Sequence, residues 1–146
     1  MSAPQTFKNH ARIDPQFHLV IVPLLALNIG YSIYTAVHQG SVDLARHLWW
    51  IVMSVVFLLM AERSRAFALK AQDRVICLEE RLRLASLLPS SEHSKISQLT
   101  PSQLIALRFA SNQELPALTL RAVSQELDSK AIKQSVAEWR PDYHRV

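Results

Sequence analysis

Glycine is nearly absent: Gly30 and Gly40 are the two in 146 residues. A glycine-rich phosphate loop or a dinucleotide fingerprint needs several glycines in one turn, so both are excluded. The single cysteine, Cys77, excludes an intrachain disulfide and a cysteine-based zinc site. Of the six histidines (His10, His18, His38, His47, His93, His144), none lies three or four residues from another, so no helix offers a histidine pair to a metal. No Ser–His–acid or Cys–His arrangement can be read from the chain, which is expected to be non-catalytic and to carry no cofactor. Charge is the last scarcity. Between Leu19 and Ala61 only Asp43 and Arg46 are charged.

The averages, a net charge of +4 with 49% hydrophobic residues, hide this split. From Glu62 onward there are 13 basic and 10 acidic residues. An apolar segment is therefore joined to a soluble one. Leu19–Val37 is 19 residues without a formal charge, about 28 Å of helix, close to the hydrocarbon thickness of a bilayer. Leu48–Ala61, 14 residues, reaches spanning length when extended back through Leu44 and Val42, with Arg46 snorkelling to the headgroups. Polar residues precede the first run, Pro23 interrupts it and no small-x-small cleavage pattern follows, which argues against a cleaved signal peptide.

The distribution of basic residues sets the expected orientation. Lys8 and Arg12 lie before the first helix, and Arg63, Arg65, Lys70 and Arg74 follow the second, where they would also contact anionic lipid headgroups. Both ends are expected on the cytoplasmic side of a bacterial inner membrane that the chain crosses twice. Trp49, Trp50, Tyr31 and Tyr34 would then anchor the outer interface. Pro23 should loosen the first turns of its helix. Asn28, Ser32 and Thr35 share one helical face and are expected to bond a neighbouring helix, through Ser54 or a partner subunit.

From Ala61 to Leu88 there is neither glycine nor proline, and good helix formers dominate. The second helix is therefore expected to continue as a stalk, about 70 Å in all, until Pro89 stops it. Ala68, Ala71, Val75, Leu78, Leu82 and Ala85 repeat at spacings of three and four, the apolar seam of a coiled coil, with Arg74 and Glu79 at flanking positions that pair across an interface. Packing of the stalk on its own C-terminal module is the equal alternative. Cys77, beside the seam, reads as a packing residue. A Ser-rich connector, 89–98, leads to a module of three helices: one opened by Thr100, Pro101 and Gln103 and running to about Ala110, one from Pro116 to about Glu126, and one capped by Asp128 and running to about Trp139 with Ile132 and Val136. So small a module is expected to need the stalk, a second copy or a partner to stay folded.

The expected fold is thus all-α: an N-terminal arm (1–18), a transmembrane hairpin (19–61), a stalk (62–88), a linker (89–98) and a C-terminal module (99–146). The expected role is an accessory or scaffolding subunit of a larger bacterial membrane assembly, such as a respiratory, photosynthetic or transport complex. Its partners would be membrane lipids and protein subunits, identical or different, with no small-molecule substrate. Two alternatives stand beside it. Ala122–Val136 has the apolar spacing of a helix-turn-helix, with Lys130 and Lys133 able to reach phosphates and Glu126 where glycine is usual. Residues 99–146 carry six basic and five acidic residues, however, little excess for nucleic acid. His38 and His47, at the same end of the two apolar helices, would carry a cofactor in the second alternative.

Several strings are also distinctive: NHAR at Asn9–Arg12, PQFH at Pro15–His18, QDRVICLEERLRL at Gln72–Leu84, LTPSQLIALRFAS at Leu99–Ser111, ELP at Glu114–Pro116 and WRPDYHRV at Trp139–Val146. On these the chain resembles, over nearly its whole length, an uncharacterised bacterial family of short proteins with two membrane helices, a domain of unknown function. The resemblance implies membrane topology and no activity, cofactor or catalytic residue. Cys77 stands where that family would have a basic residue, which marks the position as variable.

Overall fold

The computed structural model describes Thr6, Phe7 and residues 14–38 and 43–142. The basic residues Lys8 and Arg12, the expected helix start at Val42 and the final Tyr143–Val146 lie outside the described residues. The protein is all-α: among the described residues there is no β-strand, and a lone antiparallel bridge joins Ala110 to Trp139. Contacts divide the chain into two units, each taken by itself: one within Ile13–Leu69, the other Lys70–Val146 together with the N-terminal Thr6 and Phe7.

In the first unit the Asp14 carboxylate opens helix α1 (Gln16–His38), accepting from the backbone N–H of Gln16 at 3.0 Å and Phe17 at 3.2 Å. The first six residues, Gln16–Ile21, wind as wide π-type turns, and the N–H of Val22 reaches back to the Phe17 carbonyl. Pro23 explains this. It has no N–H to offer the carbonyl four residues back and its ring crowds that carbonyl, so the turns before it open. From Val22 the helix is regular. Helix α2 (Leu44–Leu87) follows, and the pairs Asn28–Ser54 and Asp14–Arg65 show that its first part runs antiparallel to α1.

The second unit begins with the remainder of α2. Pro89, in extended conformation, ends that helix, and a 3₁₀ turn (Ser90–Glu92) leads into the short α3 (His93–Ile96). The Ser-rich connector thus has local structure, and Ile96 and Leu99 turn inward from it. Helix α4 (Pro101–Leu107) starts with a full capping box: Thr100 Oγ1 accepts from the Gln103 N–H and Gln103 Oε1 accepts from the Thr100 N–H. Helices α5 (Leu115–Ser124) and α6 (Ser129–Ser135) complete the set, the last capped by Asp128, which accepts from the Ala131 N–H at 2.6 Å.

The core of this unit is shared. Cys77 and Leu84 of α2, with Leu88 just past its end, close over Leu99, Leu104, Leu107, Leu115, Leu118, Ala122, Ile132 and Val136. The module therefore docks on its own stalk. Two helices end earlier than their apolar spacing predicts. Helix α4 stops at Leu107 because Phe109 and Ala110 leave it: the Phe109 carbonyl accepts from the Arg140 N–H at 2.7 Å. Helix α6 stops at Ser135 because Val136 is extended, and the chain returns to lay the Trp139 ring against Phe109, centroids 4.8 Å apart. Trp139 is partly buried as expected, by an extended return rather than as the next helical position.

Candidate interaction surfaces

The first unit carries a buried polar contact between two apolar helices. Asn28 Nδ2 donates to Ser54 Oγ at 2.6 Å, and Ser32 Oγ lies 3.4 Å from the same oxygen. Ser54 donates onward to the Trp50 carbonyl, Ser32 to the Asn28 carbonyl and Thr35 to the Ser32 carbonyl. Ser32, Thr35 and Ser54 are all buried. Each of the three hydroxyls has a partner, and Asn28 spends one of its two amide N–H groups on Ser54.

Outside this contact the unit is apolar and open. Leu24, Leu27, Ile33, Val52, Val55, Leu59 and Met60 are exposed, as are Tyr31, Tyr34, Trp49 and Trp50. Gln16–His38 and Leu44–Leu87 are long and apolar enough to cross a membrane. Pro23, Ala26, Leu27, Gly30, Tyr31 and Tyr34 line a shallow apolar depression on α1. His38 is exposed, stacks on Tyr34 at 4.2 Å and bonds its carbonyl. His47 is buried. The two histidines thus have different surroundings, and among the described residues no group of three His, Cys, Asp or Glu side chains is placed to hold a metal. Arg63, Lys70 and Arg74 are exposed, whereas Arg65 is held within the chain, 3.4 Å from Asp14 and over the Phe17 ring at 4.9 Å.

In the second unit α2 has two apolar faces with opposite fates. Cys77 and Leu84 are buried in the core shared with the module, and Ile76 is buried as well. Ala71, Val75, Leu78, Leu82 and Ala85 of the heptad stripe are all exposed, as is Ala68 further up the helix; Leu78 is 59% and Leu82 is 64% exposed. Stalk packing and a free seam are therefore not exclusive, because they use different sides of one helix.

A polar clamp fixes the module to its side of α2. Arg83 donates from three nitrogens: to Glu80 Oε2 at 3.0 Å, to Asn112 Oδ1 at 2.8 Å and to the Ala110 carbonyl at 2.7 Å. Arg140 approaches the other Glu80 oxygen at 3.6 Å. Burial raises the Glu80 carboxyl above its ordinary 4.5; Arg83 and Arg140 oppose the shift and Glu79 adds to it. Burial also raises the Cys77 thiol, which donates to the Pro101 carbonyl at 3.8 Å, so it is a poor nucleophile. Glu114 holds the returning chain: its two oxygens accept from the N–H groups of Ser111, Ala137 and Glu138.

The clamp residues were not legible as a site. The spacing pairs Arg83 with Glu79 along the helix, whereas the structure gives it to Glu80, and a partner in a loop 29 residues away, Asn112, leaves no local signal. Lys130 is exposed on α6, while Lys133 lies over the Phe109 ring at 5.9 Å. Glu126, where a helix-turn-helix would have glycine, does adopt a positive φ of 50°.

Fold and surfaces together define an all-α protein with extensive exposed apolar helix faces and, between the stalk and the module, an open groove of about 1540 Å³ lined by Glu79, Glu80, Arg83, Arg108, Arg140 and Asp142. The chain belongs to the family of unknown function DUF6526, whose model matches residues 1–146. No curated protein matches it, and no solved structure matches it.

Proposed function

We propose that this protein is a non-catalytic membrane scaffold of the bacterial inner membrane. In this reading α1 and the first part of α2 cross the bilayer as a hairpin with both chain ends in the cytoplasm, and the stalk and module make protein–protein contacts there. One observation carries the reading. The most apolar windows of the two long helices are 11% buried. The core helix of a soluble protein would be mostly buried, and apolar surface on this scale is not left to water. Lipid suits it because each helix closes its backbone bonds within itself and Asn28 bonds Ser54 between the two, although His47 Nε2 is buried without a bond.

The aromatic residues and the basic residues support the orientation. Trp49, Trp50, Tyr31 and Tyr34 lie toward the turn of the hairpin, and Arg63, Lys70 and Arg74 lie beyond its other end. The assembly role is supported by the exposed heptad stripe and by a module whose core is completed by its own stalk, so that docking a partner need not dismantle it. Reporter fusions after Asp14 and after Val146 test the topology. Both should read cytoplasmic, and a periplasmic signal from either refutes it. Gentle-detergent purification from the native host, with identification of what co-purifies, tests the scaffold role; recovery of the chain alone and monomeric refutes it.

A further inference from the structure

The stripe on α2 is an apolar face without a partner among the described residues, and the side chains flanking it specify what covers it. With Ala68, Val75 and Leu82 at position a and Ala71, Leu78 and Ala85 at position d, Arg74 falls at g and Glu79 at the following e. We propose that the occupant is a second copy of this chain, and that the two stalks form a parallel, in-register coiled coil. This rests on the assembly reading above and names its partner.

Charge complementarity fixes the direction. In a parallel pair each g residue meets the following e of the other helix, so Arg74 meets Glu79 twice, once on each side of the seam. In an antiparallel pair g meets g and e meets e, which sets Arg74 against an arginine and leaves Glu79 without a basic partner, the other e positions being Gln72 and Ser86. Neither Arg74 nor Glu79 makes an ion pair within the chain among the described residues, so both remain available. Arg83, the helical neighbour of Glu79 at i+4, is engaged by Glu80, Asn112 and Ala110 instead. The β-branched Val75 at a, followed by Leu78 at d, favours two strands. The module does not stand in the way. It packs on Cys77, Glu80 and Leu84, at c and f positions that a two-stranded coil turns away from its seam, and on the e side it leaves an open groove where Val75, Glu79 and Leu82 face Asn112 and Glu138. Two and a half heptads make a short coil, and confinement of both copies to one bilayer supplies the high local concentration it requires.

The test is cysteine cross-linking of the full-length chain under a mild oxidant. Ala71→Cys and Ala85→Cys, both exposed and small, lie two heptads apart. In a parallel, in-register pair each should link to its own counterpart, because facing d positions come within disulfide reach. The unaltered chain, with Cys77 under its module, and Asp73→Cys at the outward f position should not link. An antiparallel pair would bring at most one of the two positions to its counterpart. Arg74→Glu or Glu79→Arg alone should weaken self-association on the order of tenfold, by placing two like-charged pairs across the seam, and the double reversal should restore it.

Self-linking at both sites with charge-reversal rescue supports the proposal. No self-linking at either site, linking at one only, or linking solely to a different protein overturns it. Fractionation of the same cells reads the membrane assignment separately. A chain found in the soluble fraction refutes that assignment whatever the cross-links show.

Discussion

Leu82 and Leu84 are two residues apart on one helix and should behave in opposite ways. Leu84 is fully buried among Leu88, Leu104 and Leu107, whereas Leu82 is 64% exposed. Leu84→Ala removes three carbons from a site enclosed by several elements that cannot all close in, and such changes cost about 2–5 kcal/mol. A unit of roughly 75 residues is stable by about 4–11 kcal/mol, so the loss is a large share of the total. Native-state hydrogen exchange of the amides in α4, α5 and α6 reads it directly. At tenfold per 1.4 kcal/mol, exchange through global opening should accelerate about 30- to 4,000-fold. The buried Cys77 thiol should become reactive toward a thiol reagent by a similar factor, since it is exposed by the same opening. Leu82→Ala should leave both within about 0.5 kcal/mol of the unaltered protein. Unchanged exchange in Leu84→Ala would refute the claim that the stalk is a wall of the module core. Equal effects of the two substitutions would refute the assignment of their faces.

Glu80 gives a pH dependence. Its folded carboxyl holds a proton more tightly than the unfolded one, so its contribution to stability is full below pH 4.5 and is lost as pH rises through the raised value. Glu80→Gln mimics the protonated form, and the stability difference between variant and wild type should move in the variant's favour as pH rises from 4 to 7; a shift the other way in denaturation measurements would mean that the arginines outweigh burial. For the Asn28–Ser54 contact, a double-mutant cycle with Asn28→Ala and Ser54→Ala should give a coupling near 0.6 and at most about 1.7 kcal/mol in detergent unfolding, and zero coupling would deny the bond. Glu126 holds a backbone conformation that glycine adopts freely, so Glu126→Gly should raise the module's stability by up to about 1 kcal/mol, with a loss contradicting the strain.

Much of the all-α organisation was legible because it rests on local rules. Thr100, Pro101 and Gln103 marked the start of α4, Asp128 that of α6, and Pro89 the end of α2. Asn28, Ser32 and Thr35 could be placed on one face because helical periodicity alone sets it, and Ser54 was a candidate because few polar groups were within reach. What periodicity could not show was where a helix gives way to tertiary demands. Ile132, Val136 and Trp139 continue a helical stripe, yet the chain straightens at Val136 so that Trp139 can stack on Phe109. The stalk shows the same limit. Its heptad stripe was plain, but the second buried face, Ile76 through Leu88, is interleaved with Glu79, Glu80, Arg81 and Arg83 and reads as a charged surface until the module covers it. The clamp from Arg83 to Asn112 and Ala110 depends on that long-range closure.

The central claim is that residues of Gln16–His38 and the first part of α2 lie in lipid, and alkaline-carbonate extraction of membranes from cells expressing the full-length chain tests it most directly. The protein should stay with the membrane pellet and leave it only with detergent. Its release into the wash, followed by recovery as a monodisperse monomer in water, would contradict the account.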